Sequence, residues 1–280
     1  IYHFIGMGEN ARKSRGILQC LGEQLQQLGW IEEISKEKND LQNQLNIALQ
    51  RADQLILLID GLDEIEGEGK YLQWLARDLP PNIRIIASTR PTEIWEIFCR
   101  YPHAKSWQLP PLEEGEVLEI IDEHCQENNI SLSMDNKNIL IKKAAGNPLY
   151  LKVALDEMTI TGNAVGQLAT SVEHLFEQIF SRLSEKYSEK TLHDYLGVIA
   201  AAQDGVLQNE IKEMTKIEDE TLLSIHLALR HFLILRGELC QFFHLEFEKS
   251  VKKRLGKKAM RIYHGMWSEY MGMKKIGEAL

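Results

Sequence analysis

The sequence predicts an α/β fold, a small parallel sheet followed by an all-helical stretch and a winged helix, and three observations carry that prediction. Leu55 to Glu64 reads Leu-Ile-Leu-Leu-Ile-Asp-Gly-Leu-Asp-Glu, an unbroken apolar run that ends in carboxylates. Such a run fits a strand covered on both faces of a parallel sheet. Strand-like and helical segments alternate up to about residue 110, which implies βαβ units. Past Pro110 and Pro111 the strands stop and helical spacing takes over, until two short apolar runs near 232–245 follow three helices.

Ile1 to Ile5 reads as a short strand, and Gly6 with Gly8 supplies the turn after it. Leu18, Leu21, Leu25 and Leu28 then form an apolar stripe at helical spacing. The charged segment 32–40 reads as a loop, and Leu41, Leu45 and Leu49 mark a second helix that feeds the acidic-ended strand. Gly67 and Gly69 break the chain before a helix expected over 71–79, closed by Pro80 and Pro81. Ile83 to Ser88 is a further strand ending in Thr89 and Arg90; Pro91 and Thr92 open a helix through Phe98, and a weak strand is expected over 104–109. Helices are expected over 113–127, 135–145, 149–158 and 171–183, with 159–170 as a linker that carries Gly162 and Gly166. The last third gives helices over 192–202, 208–214 and 219–231, then strands over 232–235 and 241–245 joined through Gly237. Three helices closed by a hairpin make a winged-helix topology.

The length of 280 residues suggests two or three modules. A net charge of −9 gives no electrostatic reason to expect nucleic acid or an anionic membrane as a partner. Cys20, Cys99, Cys125 and Cys240 are widely spaced, which argues against a zinc site or a disulfide framework and for reduced thiols in the cytoplasm. No apolar run approaches the roughly 18 residues of a membrane span, and no signal peptide is present. The chain opens at Ile1 inside a strand-like run and reads as a piece of a longer protein.

A carboxylate at the carboxyl end of a parallel strand stands where open α/β sheets bind ligands. Asp60 is placed to hold Mg²⁺ in a Walker B element, and Asp63 or Glu64 to orient or deprotonate an attacking water. The bland alternative is a strand followed by an acidic turn. A phosphate-gripping loop of the form Gly-x-x-x-x-Gly-Lys-Ser/Thr is not present. Its nearest imitation, Gly8 to Lys13-Ser14, lacks the second Gly and reads as the start of a surface helix, so the phosphate loop is expected upstream of Ile1. Arg90, at the end of the neighbouring strand, either stabilises charge on a γ-phosphoryl group or pairs with Asp60 or Asp63. Pro148 suits the first turn of a helix. His244 reads as a core histidine in an apolar strand.

The winged helix raises a DNA-binding reading. Its recognition helix would open Ile217-Glu218-Asp219-Glu220, whose carboxylates phosphates repel. The basic run from Lys249 through Lys252, Lys253, Arg254, Lys257 and Lys258 to Arg261 lies after the wing and reads as a solvated helix face or a contact to another domain or protomer.

Taken in order, these residues resemble the STAND class of P-loop ATPases, and within it the NACHT-type signalling ATPases. Tyr2 to Gly6 is similar to the second strand of that ATPase core, Asp60-Gly61-Leu62-Asp63-Glu64 to its Walker B variant, and Ala87 to Pro91 to its sensor-1 strand. Gly146-Asn147-Pro148 resembles a Gly-x-Pro motif, and Phe243-His244-Leu245 a winged-helix His motif, although the flanking residues depart from the family triplet. The resemblance implies a partial P-loop ATPase sheet over 1–110 without its first strand and Walker A loop, a small helical domain over 111–170, and a winged-helix domain with a helical extension over 171–280. It implies ATP and ADP with Mg²⁺ as cofactors, Pro148 near the adenine, His244 at the β-phosphate and Arg90 at the γ-phosphate. The implied function is a switch from an ADP-closed to an ATP-open state that lets protomers assemble as a homo-oligomer. A catalytically inactive scaffold for protein contacts is the alternative.

Overall fold

The computed structural model describes all residues except 7–9, 68–71, 163, 203–204, 237–238 and 279–280, and leaves aside the side chains of 236 and 275–278. The chain divides into two compact units, Ile1–Gln108 and Leu109–Leu280.

In the first unit β1 (Tyr2–Phe4), β2 (Leu55–Asp60) and β3 (Ile83–Ala87) form a parallel sheet in the order β1-β2-β3. Helices α1 (Ser14–Gln27), α2 (Lys38–Arg51) and α3 (Glu93–Cys99) complete it. Leu18, Leu21 and Leu25 of the expected α1 stripe are fully buried, joined by Ile17, against Leu41, Leu45 and Leu49 of α2, as the 3.6-residue period requires; Leu28, just past the helix end, is instead 53% exposed. Leu55, Leu57, Ile59 and Ile83 pack into the same core from one sheet face.

The opposite face corrects the expectation of a strand buried on both sides. Tyr2, Phe4, Ile56, Leu58 and Ile86 are 45–58% exposed, and the register sets Tyr2, Leu58 and Ile86 in one row across the three strands. An apolar run reports that both faces suit burial, not that both are covered. Two further expectations fail. Residues 72–79 form turns and bends rather than a helix, with Leu72, Trp74 and Leu75 buried; position 71 lies outside the described residues. Residues 104–109 form no strand, and Trp107 and Leu109 are 87% and 80% exposed, so no sheet edge takes them up.

The second unit runs through α4 (Glu114–Glu127), α5 (Met134–Ala144), α6 (Pro148–Thr161), α7 (Val172–Tyr187), α8 (Glu189–Ala201), β4 (Val206–Leu207), α9 (Gln208–Thr215), α10 (Asp219–Ala228), β5 (Leu233–Arg236), β6 (Leu239–Phe242) and α11 (Leu245–Glu278). Side chains of Ser133, Asn147, Ser171 and Ser188 cap α5, α6, α7 and α8, each accepting from the backbone N–H of the third residue of its helix. One continuous core extends from Val117 to Tyr263, centred on Phe176, Phe180, Phe232 and Phe247. From α8 to β6 the order is helix, strand, helix, helix, strand, strand, with an antiparallel sheet β4-β6-β5, which is the winged-helix arrangement. β4 was beyond sequence reasoning because two residues carry no period; Gly237 of the hairpin lies outside the described residues. The expected linker 159–170 is tied down instead. Val165 is fully buried, and Lys143 Nζ donates to the carbonyls of Val165, Gly166 and Leu168 at 3.0, 3.2 and 2.6 Å.

Candidate nucleotide and metal site

The carboxyl ends of the three parallel strands meet through a small set of polar residues. Asp60 closes β2, and Gly61, at φ +78°, turns the chain so that Leu62–Glu64 form one helical turn anchored by buried Leu62. Only a residue without Cβ adopts that left-handed conformation cheaply. Ser88, just past β3, joins the two strand ends. Its Oγ donates to the Asp60 carboxylate and accepts from Gly61 N at 2.9 Å, while its carbonyl accepts from Leu62 N at 2.9 Å.

Arg90 and Asp63 form a clasp across the same edge. Asp63 accepts the Arg90 backbone N–H at 3.1 Å through one oxygen and Nε–H at 2.6 Å through the other. The Asp63 side chain is 8% exposed and that of Arg90 45%. Glu64 stands 3.8 Å from Arg12, which also approaches Glu66 at 3.9 Å. A Cβ on Gly6 would fall 2.5 Å from Glu64 Oε2, so this carboxylate lies against the turn that follows β1. Asp60, Asp63, Glu64 and Arg90 are therefore brought together. Of the two readings open for Arg90 in the sequence, the ion pair with Asp63 is present. Ser88 and Arg12 were missed; a hydroxyl at the end of a strand beside Asp60 was the available signal for the first.

Among the described residues no three His, Cys, Asp or Glu side chains gather in a metal-holding group. Mg²⁺ is held by one or two carboxylates with phosphates and water as its other ligands. A single exposed carboxylate, Asp60 with the Ser88 hydroxyl beside it, fits that donor set and would not by itself make a protein cage. Beside Asp63 lies a cavity of about 180 Å³ lined by Leu62, Ile65, Thr92, Glu93 and Ile94. Ligand pockets measure about 300–1,000 Å³, so these residues alone do not wall in a nucleotide. Lys13 precedes α1 and donates to Asn10 Oδ1 at 3.2 Å; Gly8 of the imitation loop lies outside the described residues.

The remaining two candidates belong to the second unit. Pro148 is exposed at the first position of α6, behind the Asn147 cap, whose side chain accepts from Tyr150 N at 3.0 Å. Gly146 is at φ +74°, and a Cβ there would sit 2.6 Å from Pro111 Cβ and 2.7 Å from the Leu112 carbonyl oxygen. The triplet thus starts α6. His244 corrects its expectation: it lies between β6 and α11, not inside a strand, and its carbonyl accepts from Glu248 N at 3.1 Å. Its half-buried ring packs 4.4 Å from that of Phe243, and burial pushes its pKa below the ordinary histidine value, which keeps the imidazole neutral near pH 7. The basic run is substantially neutralised within the unit. Lys253 pairs with Glu173 and Arg254 with Glu177 at 2.7 Å, both on α7, and Lys249 pairs with Glu246 at 3.1 Å.

No protein-family model matches the chain. NACHT domain- and WD repeat-containing protein 1 of Homo sapiens is 22% identical over 191 residues, 64% of this chain and 12% of that protein. Nephrocystin-3 of Xenopus tropicalis is 22% identical over 275 residues, 88% of this chain and 20% of that protein. The chain thus spans only 12–20% of the length of these relatives. Among solved structures, a Signal Transduction ATPase with Numerous Domains with a tetratricopeptide repeat sensor, from Pyrococcus horikoshii, superposes with a TM-score of 0.60 at 17% identity, covering 94% of this chain and 38% of that one. That likeness concerns the fold. The chain is thus similar in sequence, at 22% identity, to a NACHT domain-containing protein and to nephrocystin-3, and alike in fold to a STAND ATPase.

Proposed function

We propose that this region is the central nucleotide switch of a signalling ATPase, closed with ADP and opened by ATP so that protomers assemble. The observation that supports it most is the convergence of Asp60, Glu64 and the Asp63–Arg90 clasp at the carboxyl edge of adjacent parallel strands. Phosphoryl transfer asks a protein for position and charge rather than covalent chemistry. A bound Mg²⁺ would be held by Asp60 and would neutralise charge on the phosphate oxygens. Asp63 is engaged with Arg90 through both oxygens, so its part is to fix the guanidinium at the strand end where a γ-phosphate would be read. Glu64 is then the carboxylate that orients the attacking water. Pro148 and His244 are assigned the adenine and β-phosphate contacts of the ADP state. The switch itself is a population shift set by the difference in affinity of the two states for the two nucleotides.

The Arg90–Asp63 pair also favours a second reading, a scaffold without turnover, because each charge has its partner within the protein. ADP affinity, ATP affinity and Mg²⁺-dependent turnover of the full-length protein separate the two. The switch predicts that Asp60→Asn and Glu64→Gln abolish turnover while Glu64→Gln retains ATP binding, and that His244→Ala weakens ADP binding at least tenfold. Wild-type protein that binds neither nucleotide establishes the scaffold. An ADP affinity untouched by His244→Ala removes His244 from the switch.

A further inference from the structure

The helix that a DNA-binding winged helix would insert into the major groove carries a different message here. Along α10 and the turn that closes it, Glu220, Leu223, Leu227 and Arg230 are exposed, while Leu222, Ile225, His226 and Leu229 face the core. Leu223 and Leu227 are 55% and 52% exposed. The exposed positions follow one another at intervals of three, four and three, the spacing of a coiled-coil seam. Burying two leucines per helix against water is favourable, and the first turn of the helix carries the carboxylates of Asp219 and Glu220, which a phosphate backbone repels.

We propose that α10 pairs antiparallel with α10 of a second copy of this chain. The argument is charge complementarity built into one stripe. Glu220 and Arg230 lie at equal distances on either side of Ile225, and so do Leu223 and Leu227. A two-fold axis at the height of Ile225 therefore brings Glu220 opposite Arg230 of the other copy, twice, and each Leu223 opposite a Leu227. That is the self-complementary pattern an isologous contact demands. A parallel pairing would instead set Glu220 against Glu220 and Arg230 against Arg230. The Arg230 Nε donates to His231 Nε2 at 3.1 Å, which holds the guanidinium stem near the helix end. Asp219, next to Glu220, is already paired with Lys212 at 2.6 Å and is not needed in the contact.

A helix pair of this length buries less than the roughly 1,200–2,000 Å² of a stable interface, so the expected dissociation constant is on the order of 100 μM. The pairing does not depend on the proposed nucleotide switch and is tested without nucleotide. Sedimentation equilibrium of residues 1–280 up to about 0.5 mM should show a monomer–dimer equilibrium at low salt that weakens as salt rises. Glu220→Arg alone and Arg230→Glu alone should each weaken it about tenfold, since each turns two attractions into two repulsions. An equimolar mixture of those two variants should regain the wild-type constant within about threefold, because the mixed pair restores both attractions. Leu227→Ser should also weaken it tenfold or more. These positions are exposed, and unchanged circular dichroism checks that the fold persists. A wild-type chain that stays monomeric throughout, single reversals that associate as well as wild type, or a mixture no tighter than its components would each overturn the proposal.

Discussion

Replacing Asp63 by Ala tests the clasp on which the site geometry depends. Two hydrogen bonds are lost at once: Arg90 backbone N–H to Oδ1 at 3.1 Å and Arg90 Nε–H to Oδ2 at 2.6 Å. The first is a charge-assisted bond to a side chain only 8% exposed, for which about 1.5 kcal/mol, the low end for bonds to a charged group, is expected. The second involves a guanidinium that is 45% exposed, so solvent screening leaves it about 0.5–1 kcal/mol. Together they give a destabilisation of about 2 kcal/mol for Asp63→Ala and about 1 kcal/mol for Arg90→Ala. The double variant should show a coupling of about 0.5–1 kcal/mol. Tryptophan fluorescence in urea is a suitable reporter, since Trp30, Trp74, Trp95 and Trp107 lie in the first unit and Trp267 alone in the second. In a unit of this size a loss of 2 kcal/mol is about 8–16 °C in Tm. A change below about 0.5 kcal/mol for Asp63→Ala, or zero coupling, refutes the clasp. Coupling accompanied by an unchanged ratio of ATP to ADP affinity in Arg90→Ala assigns the pair a purely structural role.

Two further predictions concern glycine geometry and acid. Gly146→Ala should cost at least about 3 kcal/mol, because left-handed backbone costs about 1–2 kcal/mol for a residue with a Cβ and the new methyl meets Pro111 and the Leu112 carbonyl below 3 Å; Gly162→Ala, at φ +67° with nothing within 4 Å, should cost only about 1 kcal/mol in the same urea titration followed by circular dichroism. Burial pushes His3, His226 and His244 below the ordinary histidine value, so as pH falls through about 6.5 the unfolded chain takes up protons that the folded chain refuses. Their contribution to stability is complete above that pH and shrinks below it, so Tm should be lower at pH 5.5 than at pH 7.5, with a shallower slope in His3→Gln; a Tm that rises on acidification refutes the assignment.

The sequence made some features legible and hid others for identifiable reasons. Asp60, Asp63, Glu64 and Arg90 could be grouped because each ends a strand-like run, and parallel strands bring their carboxyl ends to one edge. The clasp partner could not be fixed, since Asp60 and Asp63 are three positions apart and only the Gly61 turn decides which one faces Arg90. His244 was placed in a strand because Phe242 and Phe243 extend the apolar run. The strand nevertheless stops at Phe242, and the carbonyl of His244 already accepts a hydrogen bond from Glu248 of α11. The 71–79 segment carried helical content, yet Leu72, Trp74 and Leu75 are buried from a turn, where tertiary packing overrides propensity.

The exposed sheet face and Asp60 are one problem rather than two. Strand alternation puts Asp60 on the same face as Ile56 and Leu58, in the row of Phe4 and beside Ser88. Parallel sheets in α/β proteins are covered on both faces, because βαβ connections deposit helices there. On this face, Tyr2, Phe4, Ile56, Leu58 and Ile86 form a continuous apolar surface, and β3 pairs on one side only among the described residues. A layer laid over that surface would lower the local dielectric around Asp60 and strengthen every charge interaction made there. A carboxylate in contact with solvent holds Mg²⁺ weakly, and the same carboxylate beneath an apolar layer with phosphates at its edge holds it far better. On the proposed assignment of Mg²⁺ to Asp60, its hold on the metal is therefore coupled to coverage of Leu58 and Ile86, two residues with no direct part in the chemistry.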